Sequence, residues 1–251
     1  MNITGTLEII KIIISFSFLA ISSYYDYKYR IVPDKIFIIF APMAGILTLA
    51  GFFFTGNFLQ QLETYLFYVA ISFAIFFVIG YVGLFGGADV KIMIVLSLAV
   101  PWPLISISPI LGVTLPILPL SIFDNSLILS ILTLPYALVS NIAWKNRNKI
   151  SLFKGVEKEP LLNKIGAILF CVKKEKRKVR PFDLIAEKSG KLTLFNKVRE
   201  EDLTQEEIQG LPNNVFVTFA LPFVIFIFIG FITTIFLGDL VIILVKSLLH
   251  F

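Results

Sequence analysis

Long apolar stretches alternate with short polar breaks along most of the chain. A membrane-crossing helix needs about 20 mostly apolar residues at about 1.5 Å rise per residue. Six stretches meet that requirement: Leu7–Tyr25, Ile31–Ala50, Leu62–Leu84, Asp89–Ser106, Ile122–Trp144 and Val215–Leu237. Pro109–Leu120 is apolar but interrupted by Pro109, Pro116 and Pro119, so it is expected to be a buried or interfacial connection. The apolar tail Asp239–Phe251 is too short to cross again and is expected at the interface. The pattern changes only over Lys145–Pro212. There the alternating segments Phe182–Glu187 and Lys191–Phe195 flank Ser189-Gly190, as in a hairpin. Thr204, followed three positions later by Glu207, predicts a capped helical turn within Glu200–Gln209.

These elements predict an all-α polytopic membrane protein of six transmembrane helices, with a small β-rich cytoplasmic insertion between helices five and six. The domain plan is a membrane domain over 1–144, a soluble domain over 145–212, and a last span with its tail over 213–251. Composition agrees. The chain is 57% hydrophobic and 16% charged, whereas soluble domains carry about 25% charged residues.

Charge then orients the spans. Lys28, Arg30 and Lys35 lie in the first loop and Lys91 in the third turn, while most of the 22 basic residues fall in Lys145–Pro212. The segments Gly51–Gln61 and Ile107–Ser121 have none. Cytoplasmic loops are enriched in Lys and Arg, so loops one, three and five are expected inside and both termini outside. Lys11 and Lys246 fall near span ends, where long basic side chains reach an interface. The Asn2-Ile3-Thr4 sequon fits that side but weighs little. The run Lys173–Arg180 is expected to be a solvated or lipid-facing patch rather than a nucleic-acid site, since no recognition fold accompanies it.

The single cysteine, Cys171, excludes an internal disulfide and a four-cysteine zinc site, and is expected to be a buried thiol in a strand. The one histidine, His250, lies near the C-terminus on the expected external side, which argues against a Ser-His-Asp triad or histidine-ligated zinc. No metal or cofactor is expected.

Chemistry is therefore expected from acids, because ionisable residues in or beside spans are expensive and default to a functional reading. Glu8, Glu63, Asp124 and Asp239 fall on the expected external side, and Asp26, Asp34 and Asp89 on the cytoplasmic side. Asp89 follows Gly86, Gly87 and Ala88, whose small side chains would let an extended peptide approach, and it opens an apolar run where a helix dipole favours an anion. Asp26 closes the first span. Asp34 follows Pro33 and fits ordinary helix-start chemistry. Two carboxyls sharing a site hold one proton between them. The ionised partner can then activate water while the protonated one polarises a carbonyl.

The chain resembles the type IV prepilin peptidases, and most closely the archaeal preflagellin or prepilin peptidases among the membrane aspartyl proteases with a G-x-G-D motif. Asp26 with Pro33-Asp34 after six intervening residues, and Gly86-Gly87-Ala88-Asp89-Val90-Lys91, carry the resemblance. Ala88 replaces the family's glycine, and Val217-Thr218 with Pro222 before the last span is also similar. The resemblance implies that Asp26 and Asp89 are catalytic and that Gly86, Gly87, Ala88 and Lys91 form the substrate-side loop. It implies cleavage of a short basic leader from preflagellin or prepilin-like precursors at the cytoplasmic face of the cell membrane, with those precursors and membrane lipids as partners. The methyltransferase activity of bacterial relatives with a zinc domain is not expected. The competing readings are a proton- or cation-coupled transporter using the same aspartates, an inactive scaffold, and a presenilin-like protease that cuts within helices.

Overall fold

The computed structural model describes residues 3–54, 56–83, 85–104, 107–188, 190–193, 203–218 and 222–249. The chain divides into two compact units, one from Met1–Ser130 with Pro222–Phe251, the other from Ile131–Leu221.

The first unit is helical. It contains α1 (Ile3–Tyr29), α2 (Asp34–Phe53), α3 (Phe58–Tyr81), α4 (Gly87–Ala99), α5 (Leu118–Ser130) and, from the end of the chain, α9 (Phe223–Phe236) and α10 (Leu240–Leu249). Phe18, Leu19, Phe76, Ile92, Leu96, Ile122, Ile227 and Phe231 form its buried core. The opposite faces stay apolar and exposed, as at Ile38, Ile39 and Ile46 on α2 and Phe73 and Phe77 on α3. Helices apolar all round belong in lipid rather than water. By length and composition α1, α2 and α3 can each cross a membrane, as can the stretch Leu118–Asn148, and α9 with α10 counts as a fifth if that pair, bent by 62°, is one span.

Three expected spans take a different form. Helix α4 runs for 13 residues and stops at Ala99, before Pro101 and Pro103, so the expected span Asp89–Ser106 is helical only in its first part. At its end Tyr65 Oη donates to the orphan Leu98 O at 3.2 Å, and the single hydroxyl proton of Thr48 has Leu98 O at 3.0 Å, Ala99 O at 3.2 Å and Ala44 O of its own helix at 3.0 Å within reach. The expected span Ile122–Trp144 is interrupted by a turn at Ile131 and Leu132. Pro135 has no N–H to offer the Ile131 carbonyl, which accepts from Leu134 N instead. The expected last span, Val215–Leu237, is strand to Thr218 at its start and helix over Phe223–Phe236. A run of apolar residues buried on both faces of a strand cannot be told from a buried helix by periodicity. Gly238, at φ +106°, then turns the chain into α10, so the expected tail is helical to Leu249.

Close helix packing is set by small residues. A methyl group on Gly230 of α9 would meet the Ile122 carbonyl oxygen of α5 at 2.7 Å. Asn125 of α5 donates through Nδ2 to Thr234 Oγ and Gly238 O, each at 2.8 Å, and accepts from Leu240 N at 2.9 Å, which fixes the bend between α9 and α10.

The second unit holds α6 (Thr133–Asn148), α7 (Leu161–Phe170), β1 (Cys171–Glu175), β2 (Leu184–Ile185), β3 (Glu187–Lys188), β4 (Lys191–Leu192), α8 (Gln205–Gln209) and β5 (Asn214–Thr218). Antiparallel strands in the order β1-β5-β2 form its sheet. Phe216 faces a core of Leu152, Val156, Ala167, Cys171 and Ala186, while Val215 and Val217 face Val179 and Leu203. The expected hairpin is present as β3 and β4, with Gly190 at φ +76°; Ser189 and Phe195 lie outside the described residues. Thr204 caps α8 as expected: its Oγ accepts from Glu207 N at 3.2 Å, and its N–H donates to Glu207 Oε2 at 3.0 Å.

Cys171 is the first residue of a strand and is buried, and the apolar residues before it are helical. The expectation of a solvated basic run is overturned at its first half. Lys173 is buried with its Nζ 2.7 Å from Glu187 Oε2, and Lys174 pairs with Asp183 at 2.7 Å. An uncompensated charge at such depth is costly, which is why the acids face the run. Arg177 and Lys178 remain exposed beside Glu175.

Candidate functional site

Asp26 lies in the last turns of α1, half-buried, where its Oδ2 accepts a hydrogen bond from the Val224 N–H of α9 at 3.3 Å. Ser23, one turn earlier, donates from Oγ to Val224 O at 3.3 Å. The end of α1 therefore grips the start of α9 at a single residue. The first N–H groups of a helix lack internal partners, and the helix dipole adds positive potential there. That is a favourable place for a carboxylate. Arg30, at φ +58°, ends α1 with its N–H on Asp26 O at 3.0 Å and is within electrostatic reach of the Asp26 carboxyl.

Asp89 occupies the first turn of α4, half-buried, and its Oδ2 accepts from the Gly86 N–H at 3.1 Å. It sits at a second helix N-terminus. The two carboxyls interact electrostatically with each other. Two acids from helices far apart in sequence are thus brought to one place, each held at the start of a helix by one backbone donor.

The small residues before Asp89 act through space, not through unusual backbone. Gly86 is extended at φ −67° and ψ 151°, and Gly87 and Ala88 are helical, so alanine at 88 introduces no strain. A methyl group on Gly86 would crowd Asp89 Oδ2 at 3.2 Å. One on Gly87 would meet none of the described residues within 4 Å.

Lys91 and Asp34 are placed together. Their side chains pair at 2.6 Å, both largely exposed, and Lys91 Nζ also lies 5.5 Å from the centroid of the Phe37 ring. The pair ties the start of α2 to the first turns of α4.

Reading the sequence missed the residues that hold the acids in place. Phe85 precedes Gly86, and Phe223 precedes Val224. Their rings pack at 4.8 Å, with Phe123 of α5 at 5.1 Å from Phe85. Nothing local marks Phe85 or Phe223 among 26 phenylalanines. His250 lies outside the described residues.

Chemically, two interacting carboxyls can share one proton. They can then act together as base and acid on a polarised carbonyl. The family model described as type IV leader peptidase family matches residues 13–138, a range that includes Asp26 and Asp89. A second, described as archaeal peptidase A24 C-terminus type II, matches residues 160–240. No curated protein matches the chain.

Proposed function

Since the chain belongs to the type IV leader peptidase family, we propose that it is an aspartic endopeptidase in which Asp26 and Asp89 act as the catalytic pair on preflagellin or prepilin-like precursors. The observation that carries this reading is that the carboxyls from α1 and α4 lie within electrostatic reach of each other, each beside a helix N-terminus whose backbone N–H it accepts from. The ionised member takes a proton from water, whose oxygen attacks the scissile carbonyl carbon. The protonated member hydrogen-bonds the carbonyl oxygen. Collapse of the tetrahedral intermediate breaks the C–N bond as a proton passes to the leaving nitrogen, and the pair returns to its single shared proton. Gly86, Gly87 and Ala88 leave room for an extended backbone beside Asp89, and Lys91 borders the same segment.

The family and the apolar helices make this a multi-pass membrane peptidase. The proposed arrangement has six crossings, with the short α4 and α9 among them, the carboxyl pair at the cytoplasmic face and both termini outside. In it 1–144 lies in the membrane, the soluble part from 145 through β5 in the cytoplasm, and the chain from Phe223 onward in the membrane again. The distribution of basic residues supports this orientation. A cut at the inner interface would part a basic leader from the apolar helix that follows it. The family match favours this reading over a transporter.

The test is cleavage of a tagged prepilin-like precursor by the purified protein in lipid. Asp26→Asn and Asp89→Asn should each lose about a thousandfold or more in rate, in the range for removing a general acid or base. Asp34→Asn should stay within a few-fold of wild type. Undiminished cleavage by both of the first two variants overturns the assignment.

A further inference from the structure

Helix α7 carries an apolar face that the described residues of the second unit leave exposed. Ala167 is fully buried and Ile168 packs beside it against the sheet core. On the other side Leu161 is 75% exposed, Leu162 79% and Ile165 47%. Leu161 and Ile165 lie one turn apart, and Leu162 is about 100° around the helix from Leu161, so the three fall within one broad apolar stripe.

The place where α7 is tied down says what covers that patch. Asn141 of α6 donates through Nδ2 to Ile168 O at 3.1 Å and Cys171 O at 2.8 Å, and accepts from Lys173 N at 2.8 Å. The C-terminal end of α7 is therefore pinned to α6 at Asn141. Around that residue α6 presents Tyr136, Val139 and Ile142 outward, each at least half exposed, and the next turn brings Lys145 and Arg147. In a multi-pass membrane protein, an outward apolar face that ends in basic residues marks where a helix leaves the bilayer. The pinned end of α7 is thus at headgroup depth, continuous with the lipid-facing surface of α6.

We propose that α7 is an in-plane membrane anchor, with Leu161, Leu162 and Ile165 set into the headgroup–acyl boundary of the leaflet from which α6 emerges, so that the second unit rides on the lipid surface. Interfacial helices bind in this way, apolar side down and polar side to water. Asn163 and Lys164 lie on the half-buried side, where Lys164 Nζ donates to Glu157 O at 2.7 Å, away from the three apolar residues. This inference requires only that the protein resides in a membrane and does not depend on its catalytic residues.

Nitroxide labels at Leu161→Cys, Leu162→Cys and Ile165→Cys, with the full chain in vesicles of mixed neutral and anionic lipid, test it. A Cys171→Ala background and the native-cysteine background are compared, because the native thiol is buried and takes label slowly. Phe77→Cys on the exposed face of α3 reports lipid, and Lys191→Cys on β4 reports water. The expected result is that molecular oxygen relaxes the three α7 labels more than a water-soluble nickel chelate does, as at position 77 and opposite to position 191. Chelate-accessible labels on α7 with a lipid signal at 77 overturn the anchor alone. Labels on α7 shielded from both reagents mean that protein covers the patch, and also overturn it. Water at 77 as well overturns membrane insertion and the anchor with it.

Discussion

The Phe85 and Phe223 rings pack at 4.8 Å, and each ring immediately precedes the backbone N–H that holds one carboxyl of the candidate pair. Gly86 N–H binds Asp89 and Val224 N–H binds Asp26. One aromatic contact thereby couples two donors at the starts of helices far apart in the sequence.

That coupling predicts a positioning role for Phe223. Phe223→Leu keeps an apolar side chain of similar size and should cost about 1 kcal/mol or less in stability. Loss of the ring contact should nevertheless lower kcat by about tenfold to a hundredfold, because small displacements of reacting groups are amplified in rate. Leader-cleavage kinetics alongside a thermal melt would separate the two effects. Parallel losses in melting temperature and rate would make the contact merely structural.

Gly87 offers a steric test of substrate approach. Among the described residues nothing lies within 4 Å of an added methyl group, and its backbone is helical. Gly87→Ala should therefore leave the melting temperature unchanged or slightly raised, by about 1 kcal/mol at most. Cleavage should fall, with KM affected as well as kcat, if the peptide passes over this residue. Wild-type kinetics in Gly87→Ala would move the substrate path elsewhere.

Lys173 and Glu187 make a double-mutant prediction. Their side chains are 1% and 7% exposed, Glu187 Oε2 also accepts from Phe216 N at 3.1 Å, and Lys173 Nζ lies 4.3 Å from the centroid of the Phe216 ring. Glu187→Leu or Lys173→Met alone should destabilise the second unit by about 3–5 kcal/mol, since each strands a buried charge. The double variant should recover much of that loss. Denaturant melts of the four proteins give the coupling directly.

Cys171 supplies a pH prediction. Burial pushes its thiol up to about 11, against the smaller opposing effect of a contact with Thr218 Oγ at 3.7 Å. In the unfolded chain the proton leaves near pH 9. Between about pH 9 and 11 the folded state therefore holds a proton that the unfolded state releases, so stability falls as pH rises across that window and is unaffected by this group below it. At pH 8 alkylation of the native protein should be slow and should accelerate on unfolding, as mass spectrometry after timed quenching would show. Cys171→Ala should flatten the alkaline slope.

Patterns read over a few residues survived folding. The runs at the start of the chain became α1, α2 and α3, because an apolar stretch of helical length satisfies its backbone only as a helix in lipid. Thr204 and Glu207 formed their cap because both partners lie within one turn, and Gly190 made its hairpin because the positive φ is a property of the residue itself. The family resemblance, carried by Asp26 with Pro33-Asp34 and by Gly86–Lys91, is what pointed to Asp26 and Asp89. The sequence could not show that Val215, Phe216 and Val217 are a strand, because β1 and β2 that cover them on either side come from elsewhere in the chain. Nor could it show that Lys173 is buried, which depends on Glu187 lying across from it. Val224 reaching Asp26 across 198 positions is of the same kind. Hydrogen bonds inside a turn are decided by local geometry, whereas the partner of a buried charge is decided by which distant surfaces close over it, and that is settled only when the helices and strands pack.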